Sequence, residues 1–516
     1  ILPVPTSSPL AKPTCMMREG HRRKDWGLRM TFDRSATDRS NSATSASVRD
    51  TLREKPPASE IVLAGLDIGS TKVSVVIGLL RYVNQNHSHM STSHVTSQVG
   101  GGAKAAGSQV PVIASLPTGD LQLEIVGLGT APSNGIRQGV VVNVESTIEA
   151  IAKAREEAEL MAGYRVQDVY LAVGGSHVKS FDSRGMIAIR NREVKADDIA
   201  RVIEAAKAVA VPSDRQVLHV LPREYKIDEQ SGISDPIGMS GVRLEANVII
   251  TAGQTALQNI IKCAEKAGLQ VRGLVLQQLA SSLAVLSEDE RKLGVSVVDI
   301  GGGTSDIMTY VSGAVAHTAT IPVGGAHFTQ DVAMGLRTPQ AAAELVKKKF
   351  GCAIADIVDE NETIEVEGVG GRKPRALLRR DLCEVIEPRA EETVLLIWQE
   401  IRRSGLANQI GSGIVLTGGA SLLEGLCEMG EFICEVPVRR GVPERIGGLT
   451  DVVKSPEFAT TVGLLVYGIE NLSPQEKQRL AQASREGDLT GMGATIDKSI
   501  EMVARKVKDF FGGALS

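Results

Sequence analysis

Aromatic residues are scarce in this chain: phenylalanine, tryptophan and tyrosine together make up 3% of its 516 residues. Proteins that bind single-stranded nucleic acid rely on aromatic side chains that stack on the bases. The formal net charge of -4 also gives the chain no overall basic character that would attract a phosphate backbone. The composition therefore predicts that nucleic acid is not a partner of this protein.

Closely spaced cysteines and long apolar runs are also missing. The six cysteines are scattered without any Cys-x-x-Cys pair, which argues against structural zinc and against a disulfide framework. Free cysteines fit a reducing cytoplasm. No run of 18 apolar residues appears, and the N-terminal residues contain no secretory apolar core. The sequence therefore predicts neither a membrane span nor a signal peptide.

The most informative stretch that is present is Val297–Asp306, with the sequence VVDIGGGTSD. Its apolar start predicts a buried strand, and the strand carries one acid, Asp299, near its end. Glycine lets a backbone approach a bulky anion, and consecutive N–H groups in such a turn bind phosphate oxygens. The acid is expected to bind a cation that the phosphate shares. The predicted phosphate-binding residues of this turn are Gly301, Gly302, Gly303 and Thr304.

The same pattern occurs a second time in Leu63–Lys72 (LAGLDIGSTK), where Asp67 lies near the end of the strand. A third element, Ile414–Ser421 (IVLTGGAS), has two glycines but no acid, which suits an uncharged group such as adenosine. Two acid–glycine turns predict two related half-folds that face each other across one nucleotide. The alternative is three unrelated turns of an α/β protein. The predicted contact residues here are Gly69, Ser70, Thr71, Lys72, Gly418, Gly419 and Ser421.

Together these motifs resemble the phosphate-1, phosphate-2 and adenosine motifs of the actin/Hsp70/sugar-kinase ATPase superfamily. The resemblance implies a two-lobed α/β fold with ATP and Mg²⁺ in the cleft, and Asp67 and Asp299 as metal ligands. Gln277 stands where many relatives place a glutamate, and actin a glutamine, that orients the attacking water. Asp306 is a second candidate for that water network. Because glutamine is a poor base, slow hydrolysis or nucleotide switching is expected.

The outer part of the second lobe carries an acid and a base toward ribose and adenine in this superfamily. By position these are Glu344 and either Lys347 or Lys348, on a helix predicted over Thr338–Phe350, and either lysine could point inward. An exposed charged helix face is the alternative. Gly324, in the segment PVGGAHFTQDVA, is also placed among the cofactor-binding residues.

The order of the motifs narrows the resemblance to FtsA, a bacterial actin-like cell-division family with a small α/β subdomain inserted in the first lobe. Supporting fragments are GIRQGVVVNVEST (135–147), VLHVLPREYKID (217–228), PIGMSGVRLEANV (236–248) and ATTVGLLVYG (459–468). The predicted organisation is a disordered extension (1–60), lobe 1 (61–144 and 226–290, with a flexible insertion at 82–120), an inserted subdomain (145–225), lobe 2 (291–472, with an outer subdomain at 323–409), a linker (473–494) and a terminal helix (495–516).

The terminal segment 495–516 predicts a basic amphipathic helix. Its apolar side chains fall within about 100° of arc, and its basic side chains lie on the remaining face. Such a helix can lie in the interface of an anionic membrane, whereas the alternative is a helix that docks on its own protein. The apolar positions are Ile500, Val503, Val507, Phe510 and Phe511, and the basic positions are Arg505, Lys506 and Lys508.

The resemblance and the terminal helix together predict a peripheral protein on the cytoplasmic face of the inner membrane, at the division septum. It would bind ATP, polymerise with itself and tether a tubulin-like protein of the FtsZ type, with other divisome proteins as partners. Two alternatives share the fold: a sugar or small-metabolite kinase, and a pilus-assembly adaptor. The kinase would need a catalytic base and no terminal helix, and the same helix disfavours the adaptor.

Overall fold

The computed structural model of the chain describes residues 57, 59–83, 112–116, 119–208, 215–253 and 256–487. In chain order the strands are β1 (Glu60–Ile68), β2 (Lys72–Val83), β3 (Val112–Leu116), β4 (Gly119–Pro132), β5 (Ile136–Arg137), β6 (Val140–Val141), β7 (Asp168–Val173), β8 (Lys179–Ala188), β9 (Gln216–Ile227), β10 (Gln230–Ile233), β11 (Arg243–Gly253), β12 (Gln270–Leu276), β13 (Val295–Ile300), β14 (Ser305–Val311), β15 (Ala314–Ile321), β16 (Thr363–Val366), β17 (Arg375–Leu378), β18 (Ile414–Thr417), β19 (Val438–Arg440) and β20 (Gly447–Gly448).

Helices connect and cover these strands, and several begin or end at residues that the sequence marks as caps. The helix over Val144–Ala162, for example, begins where the Asn143 side chain accepts a hydrogen bond from the Ser146 N–H, and it ends at Gly163 with φ 74°. In chain order the helices are α1 (Val144–Ala162), α2 (Ala196–Lys207), α3 (Ala256–Lys266), α4 (Gln277–Val285), α5 (Glu288–Leu293), α6 (Gly325–Gly335), α7 (Gln340–Phe350), α8 (Arg379–Arg403), α9 (Leu426–Cys434), α10 (Thr450–Val453), α11 (Ala459–Glu470) and α12 (Pro474–Gly487).

The two large sheets share one strand order. In the first lobe, β1 pairs antiparallel with β2 and parallel with β7, and the sheet continues through β4 on one side and β12 on the other. In the second lobe, β13 pairs antiparallel with β14 and parallel with β18, and the sheet continues through β15 and β19. The predicted pair of related half-folds is therefore present, with the two acid-bearing strands, β1 and β13, at equivalent central positions.

Strand β1 is buried because hydrophobic side chains pack on both faces of the first-lobe sheet. Successive residues of a strand point to opposite faces. Leu63 of β1 accordingly packs in the cluster that contains Leu464 of α11, whereas Leu66 packs with Ile151 of α1 on the other face. In the second lobe all six residues of β13 are buried. Buried side chains thus pack on both faces of β1 and of β13, and these strands fix where the loops at their ends begin.

The inserted subdomain has its own four-stranded sheet in the order β10–β9–β11–β8, with α2 packed on it around a separate hydrophobic cluster. Its bounds differ from the predicted 145–225. Helix α1 packs on β4, and β7 pairs with β1, so both belong to the first lobe, whereas the subdomain continues to the end of β11. Periodicity indicated the helices and strands, but strand partners are set by long-range pairing that periodicity does not show.

Several predicted segments fall wholly or partly outside the described residues. They include most of the extension at 1–60, the middle of the insertion at 82–120 and the terminal helix at 495–516 with its apolar and basic positions. At the edges of the 82–120 insertion the structure has strand, because β2 continues to Val83 and β3 pairs with β4. Among the helices that the structure describes, none combines the length and the apolar character needed to cross a membrane.

Candidate functional site

A cavity of about 580 Å³ lies between the two lobes, at the ends of the central strands β1 and β13. Its volume lies within the range of roughly 300–1,000 Å³ that is typical of small-molecule sites. The acid–glycine turns of both lobes and the turn after β18 meet there. The predicted residues that line the cavity are Asp67, Gly69, Ser70, Thr71, Lys72, Gln277, Asp299, Gly301, Gly302, Gly303, Thr304, Asp306, Glu344, Lys347, Lys348, Gly418 and Gly419.

Two predicted residues, Gly324 and Ser421, do not line the cavity. The Gly324 N–H forms a hydrogen bond with His327 Nδ1 at 3.2 Å, and the next residue, Gly325, is the one on the cavity wall. The buried Ser421 hydroxyl donates to the Gly418 carbonyl at 2.7 Å. Both residues therefore support turns that line the cavity, because short polar side chains and backbone groups at a turn commonly bond back to the turn itself.

The two acid–glycine turns are closed in the same way and touch each other. The Gly69 N–H donates to the Lys72 carbonyl at 2.9 Å, and the Gly301 N–H donates to the Thr304 carbonyl at 2.9 Å. A Cβ added to Gly302 would lie 2.4 Å from Cγ2 of Thr71, closer than real atoms approach. An alanine here would force the Thr71 side chain to move, so glycine favours the close approach of the two turns.

Asp67 and Asp299 bring two carboxylates to the same end of the cavity. Asp67 accepts a hydrogen bond from Gln277 Nε2 at 3.0 Å. Asp299 accepts from Ser281 Oγ at 2.5 Å and from Thr460 Oγ1 at 2.9 Å. Burial raises the pKa of Asp67 to about 6 and also raises the pKa of Asp299, because a low dielectric disfavours the charged form. A bound cation would relieve this cost of burial.

Oxygen ligands beyond the protein would be needed to complete a cation site here. In the part of the chain that the structure describes, no three His, Cys, Asp or Glu side chains are grouped closely enough to hold a metal ion by themselves. Mg²⁺ usually keeps several waters and combines one or two carboxylates with phosphate oxygens. The pair Asp67 and Asp299 fits that ligand set, and it does not fit an all-protein cage.

Asp306 on β14 is a third buried carboxylate at the cavity. It accepts hydrogen bonds from Thr304 Oγ1 at 3.1 Å, from Thr320 Oγ1 at 2.5 Å and from the Gly175 N–H. Burial, with a contribution from the charge of Asp299, raises the pKa of Asp306 to about 7 in spite of these bonds. Asp306 is therefore partly protonated near neutral pH in the nucleotide-free protein.

This pKa predicts a pH-dependent stability that an Asp306→Asn variant lacks. A carboxyl whose pKa is raised on folding stabilises the protein fully below its unfolded pKa, near 4, and this stabilisation is lost as the pH rises through the folded pKa. Between pH 5 and pH 8 we expect the free energy of unfolding of the wild type to fall by about 2 kcal/mol more than that of Asp306→Asn. Urea unfolding of the nucleotide-free proteins measures this difference. The control is Asp356→Asn, at an exposed acid paired with Arg380, whose stability should depend on pH as that of the wild type does. Parallel pH profiles of stability for the wild type and Asp306→Asn would contradict the prediction.

Lys72 is held at the cavity by groups that the sequence motifs do not contain. Its Nζ lies 2.8 Å from Glu457 Oε2 and 3.9 Å from the centre of the Phe458 ring. Burial lowers the pKa of Lys72, although the charge of Glu457 opposes this. The ammonium group is thus fixed at the cavity wall by an acid from a distant segment.

Lys347 and Lys348 both line the cavity, but they differ in how deeply their side chains are buried. The Lys347 side chain is 12% exposed and bonds to Glu344 Oε2 at 2.7 Å, to the Gly325 carbonyl at 3.0 Å and to Thr329 Oγ1 at 2.8 Å. The Lys348 side chain is 69% exposed. The predicted acid–base pair therefore forms within one turn of α7.

Among the residues at the site that were not identified from the sequence are Ser281, Thr320, Glu457 and Thr460. They hold Asp299, Asp306 or Lys72 in place through hydrogen bonds or an ion pair. One weak signal was available: Thr460 lies in the fragment ATTVGLLVYG, which supported the family resemblance without any assigned role.

Comparison with known proteins places these features in one family. The family model described as "Cell division protein FtsA" matches residues 296–463, and the model described as "SHS2 domain inserted in FTSA" matches residues 175–252. The cell division protein FtsA of Pseudomonas aeruginosa is 49% identical over 382 residues, which cover 74% of this chain and 92% of that protein. The chain belongs to the FtsA family. FtsA of Escherichia coli K12 is 44% identical over 364 residues, covering 69% of this chain and 86% of that protein.

The predicted family and fold class are confirmed: this FtsA-family protein has the two-lobed, actin-like α/β fold with an inserted α/β subdomain. The SHS2 match at 175–252 coincides with β8–β11. A solved PilM–PilN type IV pilus biogenesis complex shares the fold with a TM-score of 0.53 and 15% identity, covering 79% of this chain and 98% of that chain. As a member of the FtsA family the chain is a cell division protein and acts together with other proteins of division.

Proposed function

We propose that this protein binds ATP with Mg²⁺ between its lobes, polymerises at the inner face of the cell membrane and anchors the FtsZ ring there. One observation carries the nucleotide-binding part: two acid–glycine turns at equivalent positions of two half-folds bound a single cavity of about 580 Å³. One such glycine turn on each side of the cavity suits a ligand with several consecutive phosphates.

The cavity residues have distinct proposed roles in holding ATP. Asp67 and Asp299 would hold Mg²⁺, largely through water, and the bound cation would neutralise phosphate charge. The backbone N–H groups of both glycine turns would contact phosphate oxygens, while Gly418 and Gly419 would face adenosine. The pair Glu344 and Lys347 lies where an acid and a base could bond ribose and adenine.

Gln277 is the proposed residue for orienting an attacking water. Its amide is held by Asp67 at 3.0 Å, which fixes the side chain without making it basic. An amide positions water by hydrogen bonding but does not accept its proton, so turnover is expected to be slow. Slow turnover suits a protein whose nucleotide state controls assembly rather than a metabolic enzyme.

The proposed membrane attachment depends on the predicted helix at 495–516. A single amphipathic helix binds a bilayer weakly, but polymerisation would let many such helices bind together, which multiplies their joint affinity. A tubulin-like filament bound to such a polymer would thereby be held at the membrane. FtsZ is proposed as this partner because the chain belongs to the FtsA family.

Deletion of all residues after Gly487 is expected to abolish vesicle binding. The deletion removes the apolar face and the basic residues of the predicted helix, so flotation with anionic vesicles should fall at least about ten-fold. The full-length double variant Phe510→Ser and Phe511→Ser, which keeps the basic residues, should show a similar loss. Affinity for Mg·ATP, measured in solution, should stay unchanged in both. Equal flotation of the full and shortened chains would contradict the membrane role.

The alternative function, a sugar or metabolite kinase, predicts the opposite effect of acceptor substrates on ATP consumption. A sugar or metabolite kinase consumes ATP faster when its acceptor is present, whereas an assembly protein does not respond. Strong stimulation of ATP consumption by a panel of sugars would contradict the proposed scaffold function.

A further inference from the structure

Gln277 is held in place by the segment that leads into the inserted subdomain. While its Nε2 donates to Asp67, its Oε1 lies against Gly174, where an added Cβ would be only 2.0 Å away. Gly174 follows β7 and begins the connection to β8, the first strand of the subdomain. The next residue, Gly175, donates its N–H to the Asp306 carboxylate. This short connection therefore contacts both residues proposed for the water network.

A second contact to the same place comes from within the subdomain. His219 lies on β9, and its Nε2 accepts a hydrogen bond from the Leu276 N–H at 3.1 Å. Leu276 directly precedes Gln277 at the start of α4, where backbone N–H groups have no partner inside the helix. Burial lowers the pKa of His219 to about 4, so the ring is neutral at physiological pH and Nε2 is free to accept.

The His219 ring also contacts a helix that packs on the sheet of the first lobe. Its ring packs edge-on against Tyr467 of α11, with the ring centres 5.8 Å apart. The subdomain also reaches the second lobe, where the Ser180 hydroxyl of β8 bonds with the Thr318 hydroxyl of β15. A shift of the subdomain would thus be transmitted to the backbone that carries Gln277.

We propose that the inserted subdomain positions Gln277 for nucleotide hydrolysis, with His219 and Gly174 as positioning residues that do not touch the nucleotide. The inference rests on the proposed function, in which Gln277 orients water beside bound ATP. The residues proposed to hold Mg·ATP lie on other segments, so the orientation of the subdomain sets the turnover rate and leaves nucleotide affinity nearly unchanged.

The test compares His219→Leu with His219→Gln. Leucine leaves the Leu276 N–H without an acceptor, whereas the glutamine amide oxygen can replace the imidazole nitrogen. We expect His219→Leu to lower kcat for ATP about ten-fold with the Kd for Mg·ATP within about two-fold of the wild type, and His219→Gln to restore most of the rate. In a Gln277→Ala background the leucine substitution should add no further loss, because both changes act through one side chain.

Val248→Ala is the matched control for stability. Val248 is buried in the hydrophobic cluster of the subdomain, so its truncation weakens that fold without touching α4, and the turnover rate should remain that of the wild type. Wild-type turnover in His219→Leu would overturn the inference, as would a wild-type protein that binds Mg·ATP without hydrolysing it. Absence of Mg·ATP binding by the wild type would instead contradict the proposed function itself.

A second variant keeps the inference testable where His219→Leu does not fold, as judged by circular dichroism. Gly174→Ala pushes the Gln277 amide away from its place beside Asp67 while the hydrogen bond of His219 stays intact. The same drop in kcat at unchanged Kd is expected. A Gly174→Ala protein with the wild-type rate would overturn the inference.

Discussion

Asp299→Asn is expected to lower the affinity for Mg·ATP about 100-fold while the affinity for ATP in the presence of EDTA stays the same. Asparagine keeps the shape of the side chain and can still accept from Ser281 and Thr460, which bond Asp299 Oδ2. It lacks the negative charge that attracts Mg²⁺, and a 100-fold change corresponds to about 2.7 kcal/mol, the order expected for one charge at a partly desolvated cation site. Calorimetric titration with and without Mg²⁺ measures both affinities.

The control for this variant is Asp331→Asn. Asp331 lies on α6 outside the cavity and pairs with Arg389 at 2.6 Å, so its neutralisation changes the charge of the protein equally without touching the site. Its Mg·ATP affinity should equal that of the wild type, and Asp67→Asn should change in the same direction as Asp299→Asn. Full Mg·ATP affinity in both cavity variants would show that these carboxylates do not hold the cation.

Gly463→Ala is expected to destabilise the protein by about 3 kcal/mol or more, because α11 and α4 are in contact through backbone atoms at this point. An added Cβ would lie 1.8 Å from the Ala280 carbonyl oxygen and 2.4 Å from its carbon, and neither atom can move unless the helices separate. Separation would also disturb the cavity, since Thr460 lies on α11 and Ser281 on α4. Urea unfolding and Mg·ATP titration should therefore both show a loss.

Gly430→Ala on α9 provides a matched control of the same chemical change. There the atoms nearest to an added Cβ are side-chain carbons of Val438 at 3.3 Å, which need to move by only a few tenths of an ångström. Alanine is favoured over glycine in a helix by about 1 kcal/mol, which offsets this small adjustment, so the stability of the variant should stay within about 1 kcal/mol of the wild type. Equal stability of Gly463→Ala and Gly430→Ala would contradict the close approach of α11 and α4.

The sequence was sufficient for the parts of the site that are local in the chain. An apolar strand, an acid and a glycine turn within ten residues locate both Asp67 and Asp299 with the turns that meet at the cavity, and the repeat predicted two half-folds. The residues that complete the site have no local pattern. Glu457 reaches Lys72, and Thr460 reaches Asp299, from far along the chain, and such contacts are set by how helices dock rather than by neighbours in sequence.

Adjacent positions on a helix illustrate a second limit. Lys347 and Lys348 differ by about 100° around the axis of α7. Both line the cavity and their chemistry is identical. Which of them bonds to α6 depends on which face of α7 meets that helix, and the composition of α7 does not determine it. The bounds of the inserted subdomain were missed for a related reason, because β7 resembles any buried strand until its pairing with β1 is known.

The repeated strand order bears on where an additional subdomain can be inserted into the fold. Strand β18 of the second half leads into Gly418 and Gly419, and its counterpart in the first half, β7, leads into Gly174 and Gly175 and then into the added sheet. Each half therefore carries a glycine turn after the equivalent strand, and only the turn of the second half is proposed to face adenosine. The turn after β7 can thus carry an inserted subdomain without a change at Asp67 or Asp299, and the insertion begins beside Gly175, whose N–H donates to Asp306.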